Sequence, residues 1–170
     1  EVHDEPWMAF MLRGLDDVPE PEPPAGYTLR TVGEGDIERR VEVHRAAFHP
    51  SRVTVESYRN VVRTWPYRAD LDCVAESLDG SFAAYTLCWY DDENRVGELE
   101  PVGTHGDFRR RGLAAAVCSF ALERLRDEGA ECAVVYARGD AAYPAPKQLY
   151  ESLGFRPHAR TVTYRAGASA

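Results

Sequence analysis

The stretch from Arg95 to Ala137 constrains the fold more than any other part of the chain. RVGELEPVGT (residues 95–104) reads as a strand, and a long helix follows over about residues 110–128 until Gly129 stops it. CAVVYA (residues 132–137) is then a continuous apolar run, as a strand covered on both faces should be. Strand, helix and buried strand in that order make a βαβ crossover. Within the helix, Ala114, Val117, Cys118, Ala121, Leu122 and Leu125 fall on one stripe that packs on a sheet, while Ser119, Glu123, Arg124, Arg126, Asp127 and Glu128 take the polar face.

The rest of the chain supplies the sheet. YTLRTV (27–32) alternates as a strand; DIERRVEVHRAAF (36–48) and VTVESYRNVVRTW (53–65) have helical spacing, the first broken by His49-Pro50-Ser51 and the second stopped by Pro66. LDCVAES (71–77) and SFAAYTLCWYD (81–91) form a hairpin around Leu78-Asp79-Gly80. Beyond the crossover come a loop, a short helix around residues 147–153, a stop at Gly154 and a last strand near residues 160–165. The order β-α-α-β-β-β-α-β-α-β predicts an α/β fold with a mixed, mostly antiparallel sheet and flanking helices. WMAFMLRGL (7–15) is short, apolar and helix-like, and DDVPEPEPPAG (16–26) is Pro-rich, acidic and extended. The expected organisation is an N-terminal helical segment over 1–15 (a remnant of an upstream domain), a linker over 16–26 and one domain over 27–166.

Composition narrows the partners. With 28 Asp+Glu against 20 Lys+Arg the chain lacks the basic face that nucleic acid needs. No apolar run is long enough to span a membrane, and no secretory signal precedes the fold. Cys73, Cys88, Cys118 and Cys132 form no C-x-x-C pair and read as small buried hydrophobes in a reducing cytosol. The five histidines show no metal-ligand spacing, so no metal is expected. The chain opens with Glu1 and its first methionine is Met8, as in a fragment or a processed chain.

Against that acidic background, positive charge gathers at Arg109-Arg110-Arg111-Gly112-Leu113-Ala114. Free N–H groups, the positive end of the helix dipole and three guanidiniums make this an anion site best suited to a diphosphate, and Gly112 lets phosphate oxygens approach the backbone. Neither G-x-x-x-x-G-K-[ST] nor G-x-G-x-x-G is present, which removes the common nucleotide loops. R-R-R-G-L-A instead resembles the [Q/R]-x-x-G-x-[G/A] motif of the GNAT superfamily of acetyl-coenzyme A-dependent N-acetyltransferases. Leu149-Tyr150-Glu151-Ser152-Leu153-Gly154-Phe155, in the expected order downstream, is similar to that family's LYxxxGF.

The resemblance implies a GNAT-like fold and transfer of an acetyl or short acyl group from acetyl-coenzyme A, as co-substrate, to a small-molecule or peptide amine. It implies that Arg109, Arg110, Arg111, Gly112, Leu113 and Ala114 hold the pyrophosphate, and that Val102, Gly103 and Thr104 offer main-chain groups to the pantetheine arm. Tyr150 matches the tyrosine that protonates the departing sulfur. For the base, Glu98 and Glu100 lie two apart on a strand and share a face, with Glu100 slightly preferred and His105 weaker; a carboxylate there could instead bind a cationic substrate or relay through water. Pro101 cannot complete a ladder, so the strand should part from its neighbour there. Two departures stand out: Tyr143 occupies the place of an asparagine common in the family, and Pro144 and Pro146 should delay the following helix. The expectation is a cytoplasmic bacterial enzyme, with a homodimer or an upstream domain open as partners; the rival reading is a non-catalytic acyl-coenzyme A-binding module.

Overall fold

A buried ion pair ties the first two helices to the sheet. In the computed structural model, which describes residues 7–139 and 142–162, Arg40 Nε donates to Asp72 Oδ1 at 2.8 Å. Asp72 is fully buried and Arg40 is 2% exposed. The other carboxylate oxygen accepts from the Tyr58 hydroxyl and, at 3.4 Å, from Tyr67. The Arg40 guanidinium also lies 3.6 Å from the centre of the Tyr85 ring.

These residues belong to a unit spanning Gly14–Ala133. Strands β2 (Tyr27–Thr31), β3 (Asp72–Ser77), β4 (Phe82–Asp91) and β5 (Val96–Thr104) form an antiparallel ladder in that order; β1 (Met8–Gly14) precedes them in the chain. Helix α1 (Ile37–Ala47) packs on one face, where Val43 and Ala47 meet Val32, Val74, Phe82 and Tyr85. Helix α2 (Val55–Val62) begins with a capping box, Ser57 N–H to Thr54 Oγ1 at 3.1 Å and Thr54 N–H to Ser57 Oγ at 2.8 Å. Helix α3 (Leu113–Asp127) covers β3, β4 and β5 from the other face. Its expected stripe is buried from Val117 through Leu125, but Ala114 is only half-buried, and Ser119, placed on the polar face by its chemistry, is inside.

The second unit comprises residues 7–13 and 134–162 of the described chain. Strand β1 lies between β6 (Cys132–Arg138) and β7 (Arg156–Arg160), pairing antiparallel with β7. Helix α4 (Ala145–Ser152) leads into β7. The helical reading of residues 7–15 is therefore corrected to a strand. Its residues alternate half-buried and buried, with Ala9 and Met11 inside, but apolar residues on both faces hide the period of two in the sequence. The prolines do not delay α4 either: Pro144 is its N-cap and Pro146 sits in the first turn, where a missing N–H costs nothing. The last strand comes earlier than expected, and residues 163–165 lie outside the described part.

Removing one member of the buried pair should be costly, because the other charge stays behind without compensation. Asp72→Leu is expected to lower stability by about 3–5 kcal/mol. The double variant Arg40→Met/Asp72→Leu should recover much of that loss; both are read by urea unfolding.

Candidate active site

The arginine-glycine turn enters α3 with an unusual backbone. Gly106–Phe108 form a short 3-10 turn capped by His105, whose Nδ1 accepts the Asp107 N–H at 3.2 Å. Two residues then adopt the left-handed region, Arg110 at φ +64° and Gly112 at φ +78°. Backbone reversals of this kind turn successive N–H groups toward a common point. Gly112 is the N-cap of α3, no side chain caps the first turn, and no acidic residue lies in it. The N-terminal amides thus keep their capacity to meet an anion. A Cβ on Gly112 would find nothing nearer than Pro24 Cγ at 3.9 Å, so the approach is open.

Among the described residues none of the three arginines pairs with a carboxylate. Arg109 donates to the Ala47 carbonyl at 3.3 Å, and Arg111 to the Tyr27 hydroxyl at 2.7 Å and the Asp107 carbonyl at 3.0 Å. These neutral acceptors aim the guanidiniums without discharging them. Leu113 is buried and Ala114 half-buried, so here the backbone and the arginines face the ligand side.

On β5 the ladder with β4 slips. Thr86 pairs with Val102 but Cys88 pairs with Leu99, so Glu100 and Pro101 together oppose Leu87. This is a β-bulge, and it answers the expectation that Pro101 disturbs the ladder. Its effect on side chains is a change of parity. Gly97 lies under Leu125 of α3, while Gly103 faces α1, where an added Cβ would come within 2.7 Å of the Tyr85 ring and 2.8 Å of the Ala47 Cβ. Glu98, paired with Trp89, and Glu100 share that α1 face. Val102 and Thr104 stand on β5 beyond the bulge, half-buried, with Gly103 buried between them.

Burial holds the Glu98 carboxyl above the usual range. Glu100 is raised by the surrounding protein first and by the Glu98 charge second, although its side chain reaches water. Burial holds the Tyr85 hydroxyl above its ordinary pKa, with the Asp72 and Glu100 charges adding to the rise, and this hydroxyl meets His44 Nδ1 at 2.6 Å. Burial and the Arg40 charge both lower the His44 pKa, which keeps the ring neutral near pH 7. Next to this cluster, α1, α2, β4 and β5 enclose a cavity of about 330 Å³. His44, Tyr85 and Trp89 were not singled out from sequence. Their signal was long-range pairing, invisible to local spacing, except that Trp89 stands opposite Glu98 on a hairpin neighbour.

Tyr150 lies in the second unit, in the last turn of α4, 6% exposed, with its ring edge-on to Phe155 at a centroid distance of 5.7 Å. Tyr143, in the asparagine's place, is half exposed. Cys73, Cys88 and Cys118 are buried free thiols and Cys132 a partly buried one. Among the described residues no cluster of His, Cys, Asp or Glu could hold a metal ion, and no helix is long and apolar enough to cross a membrane.

This mixed α/β domain thus starts its central helix uncapped beside three arginines that have no carboxylate partner among the described residues, a donor set suited to an anion. Residues 39–155 match the acetyltransferase (GNAT) family, and the chain belongs to that family. The mycothiol acetyltransferase of Saccharomonospora viridis is 33% identical over 162 residues, covering 88% of this chain and 52% of that protein. The enzyme of the same name from Streptomyces coelicolor is 30% identical over 159 residues, covering 91% and 50%. The chain thus spans about half the length of these relatives. In structure it resembles a GCN5-related N-acetyltransferase from Sphaerobacter thermophilus, with a TM-score of 0.79 at 24% identity over 91% of this chain and 49% of that one.

The coupling of the two carboxylates is measurable. Glu98→Gln removes a negative neighbour, so the Glu100 pKa should fall toward the ordinary carboxylate value while staying above it, followed by carbon-detected NMR titration. An unmoved Glu100 titration would mean that the two groups do not share a face.

Proposed function

We propose that this chain transfers an acetyl, or other short acyl, group from acetyl-coenzyme A to an amine. The observation that carries the reading is the start of α3, an open, uncapped helix N-terminus with two left-handed residues and three arginines that no carboxylate among the described residues neutralises. A diphosphate fits that donor set, and the open space over Gly112 admits it. Arg109, Arg110, Arg111, Gly112, Leu113 and Ala114 hold the diphosphate, and the main chain of Val102, Gly103 and Thr104 meets the pantetheine arm. Bound there, the coenzyme supplies an activated thioester.

The rest falls to side chains. Glu100, with Glu98 beside it, accepts the proton that the acceptor amine gives up as it attacks. A carboxyl held above its usual range is the stronger base for that task. The Tyr150 hydroxyl holds a proton for the thiolate that leaves. The two mycothiol acetyltransferases of similar sequence support acetyl transfer. We place the enzyme in a bacterial cytoplasm, where its free thiols stay reduced. Its acceptor is a small-molecule or peptide amine, read from this chain's own cavity below.

The deciding experiment is thiol release from acetyl-coenzyme A in the presence of a panel of amines, together with a dose-dependent rise in melting temperature on adding acetyl-coenzyme A alone. No shift at millimolar coenzyme would sink the coenzyme site. Gly112→Asp should abolish the shift by bringing a negative charge to the diphosphate; the left-handed backbone there strains any side chain, but aspartate tolerates it better than most and meets no close neighbour, so circular dichroism should show a retained fold. Tyr150→Phe should lower kcat by about 10²–10⁴-fold with little change in coenzyme binding. Activity should also fall as pH drops through the raised Glu100 pKa, because the protonated carboxyl cannot accept a proton; Glu100→Gln should remove that limb.

A further inference from the structure

We propose that the cavity between α1, α2, β4 and β5 receives the acceptor's side chain, and that the acceptor is a primary amine carrying a compact apolar or aromatic group. The inference rests on the acetyl-transfer reading above and names the substrate class for it.

The chemistry of the lining points there. Its walls are Val41, Val53, Val61, Leu87, Trp89 and Pro101. Most of the polar groups that reach the cavity are already engaged. Arg40 is paired with Asp72 and stacked on Tyr85. The Tyr58 hydroxyl donates to Asp72, and the Ser57 hydroxyl is taken up by the capping box of α2. Trp89 Nε1 donates to the Glu100 carbonyl at 2.8 Å, which fixes the indole as a wall. His44 turns Nδ1 to Tyr85 and stays neutral. A hydroxyl-rich acceptor entering here would lose its water and find few partners in return, a heavy penalty. An alkyl or aryl group loses nothing polar and gains contact along the walls.

Position and size agree. Pro101, next to Glu100 in the chain, lines the cavity, as does Trp89, which sits opposite Glu98 in the ladder and donates to the Glu100 carbonyl. An amine whose apolar group fills the cavity therefore keeps its nitrogen at the mouth beside the two carboxylates. A volume of about 330 Å³ lies at the lower end of the roughly 300–1,000 Å³ range of ligand pockets. It suits a single ring or a branched alkyl group, and not an extended chain.

The test compares 2-phenylethylamine and 3-methylbutylamine with ethanolamine and glucosamine at saturating acetyl-coenzyme A. The apolar pair should exceed the hydroxylated pair in kcat/KM by about 10²-fold, the scale on which apolar pockets discriminate. Val53→Trp, at the cavity rim, should raise KM for 2-phenylethylamine, and a retained melting shift with acetyl-coenzyme A shows that the variant is folded. In parallel, methyl and indole NMR signals record direct binding. 2-Phenylethylamine should move those of Val41, Val61, Leu87 and Trp89. Equal or better turnover of the hydroxylated amines would overturn this inference while leaving acetyl transfer intact. Binding of 2-phenylethylamine at these signals without any thiol release would uphold the cavity's chemistry and overturn the transfer reading. Signals that stay still, or move elsewhere, overturn the inference on their own.

Discussion

The contact between Arg40 and Asp72 decides much of what surrounds it. A charge pair this deep repays its desolvation only with good geometry and further hydrogen bonds. Tyr58 and Tyr67 supply those to Asp72, and the Tyr85 ring supplies a face to Arg40. Because Arg40 belongs to α1, Tyr58 to α2 and Asp72 to β3, satisfying the charges fixes both helices against the sheet. The space left between them is the cavity. The same docking brings the end of α1 against Gly103 and lets the Ala47 carbonyl receive Arg109. One polar interaction in the interior thus reaches both the apolar cavity and the basic turn.

Two irregularities of the backbone shape the chemistry more than any side chain does. At the turn, Arg110 and Gly112 accept a left-handed conformation, which for a residue like arginine costs on the order of 1–3 kcal/mol. On β5 the bulge aims Glu98, Glu100 and Gly103 at one side. Strain and broken pairing of this sort persist where a surrounding fold over-determines them. Here the ladder with β4 on one side of the bulge and α3 packed below provide that support.

The legible parts were those whose signal is local. The α3 stripe, the hairpin around Gly80, the Gly112 turn and the shared face of the two glutamates all follow from periods of 3.6 or 2 and from residues that only turns tolerate. Residues 7–15 misled because an interior strand with apolar residues on both faces carries no alternation. Ser119 misled because a small hydroxyl can be buried where a charged group cannot. Pro144 and Pro146 looked like an obstacle and are a helix start. The cavity was out of reach, since Arg40 and Asp72, or His44 and Tyr85, meet only through the finished fold. That Gly103 has no room for a side chain shows only in the finished fold, where Ala47 and Tyr85 press on it.

The bulge at Glu100 and Pro101 has a consequence for how this strand can drift over evolutionary time. On a regular strand a substitution changes one side chain, and its neighbours keep their orientation. Here the orientation of everything beyond the bulge depends on a count of residues, two on β5 against Leu87 on β4. Loss of one residue would reverse the facing of every position on one side of it, exchanging carboxylates for core residues at a stroke. Substitutions at Glu98 or Val102 are single steps that selection can weigh separately. Insertions and deletions between Leu99 and Val102 are not, and descendants of this chain should vary in letters there long before they vary in length.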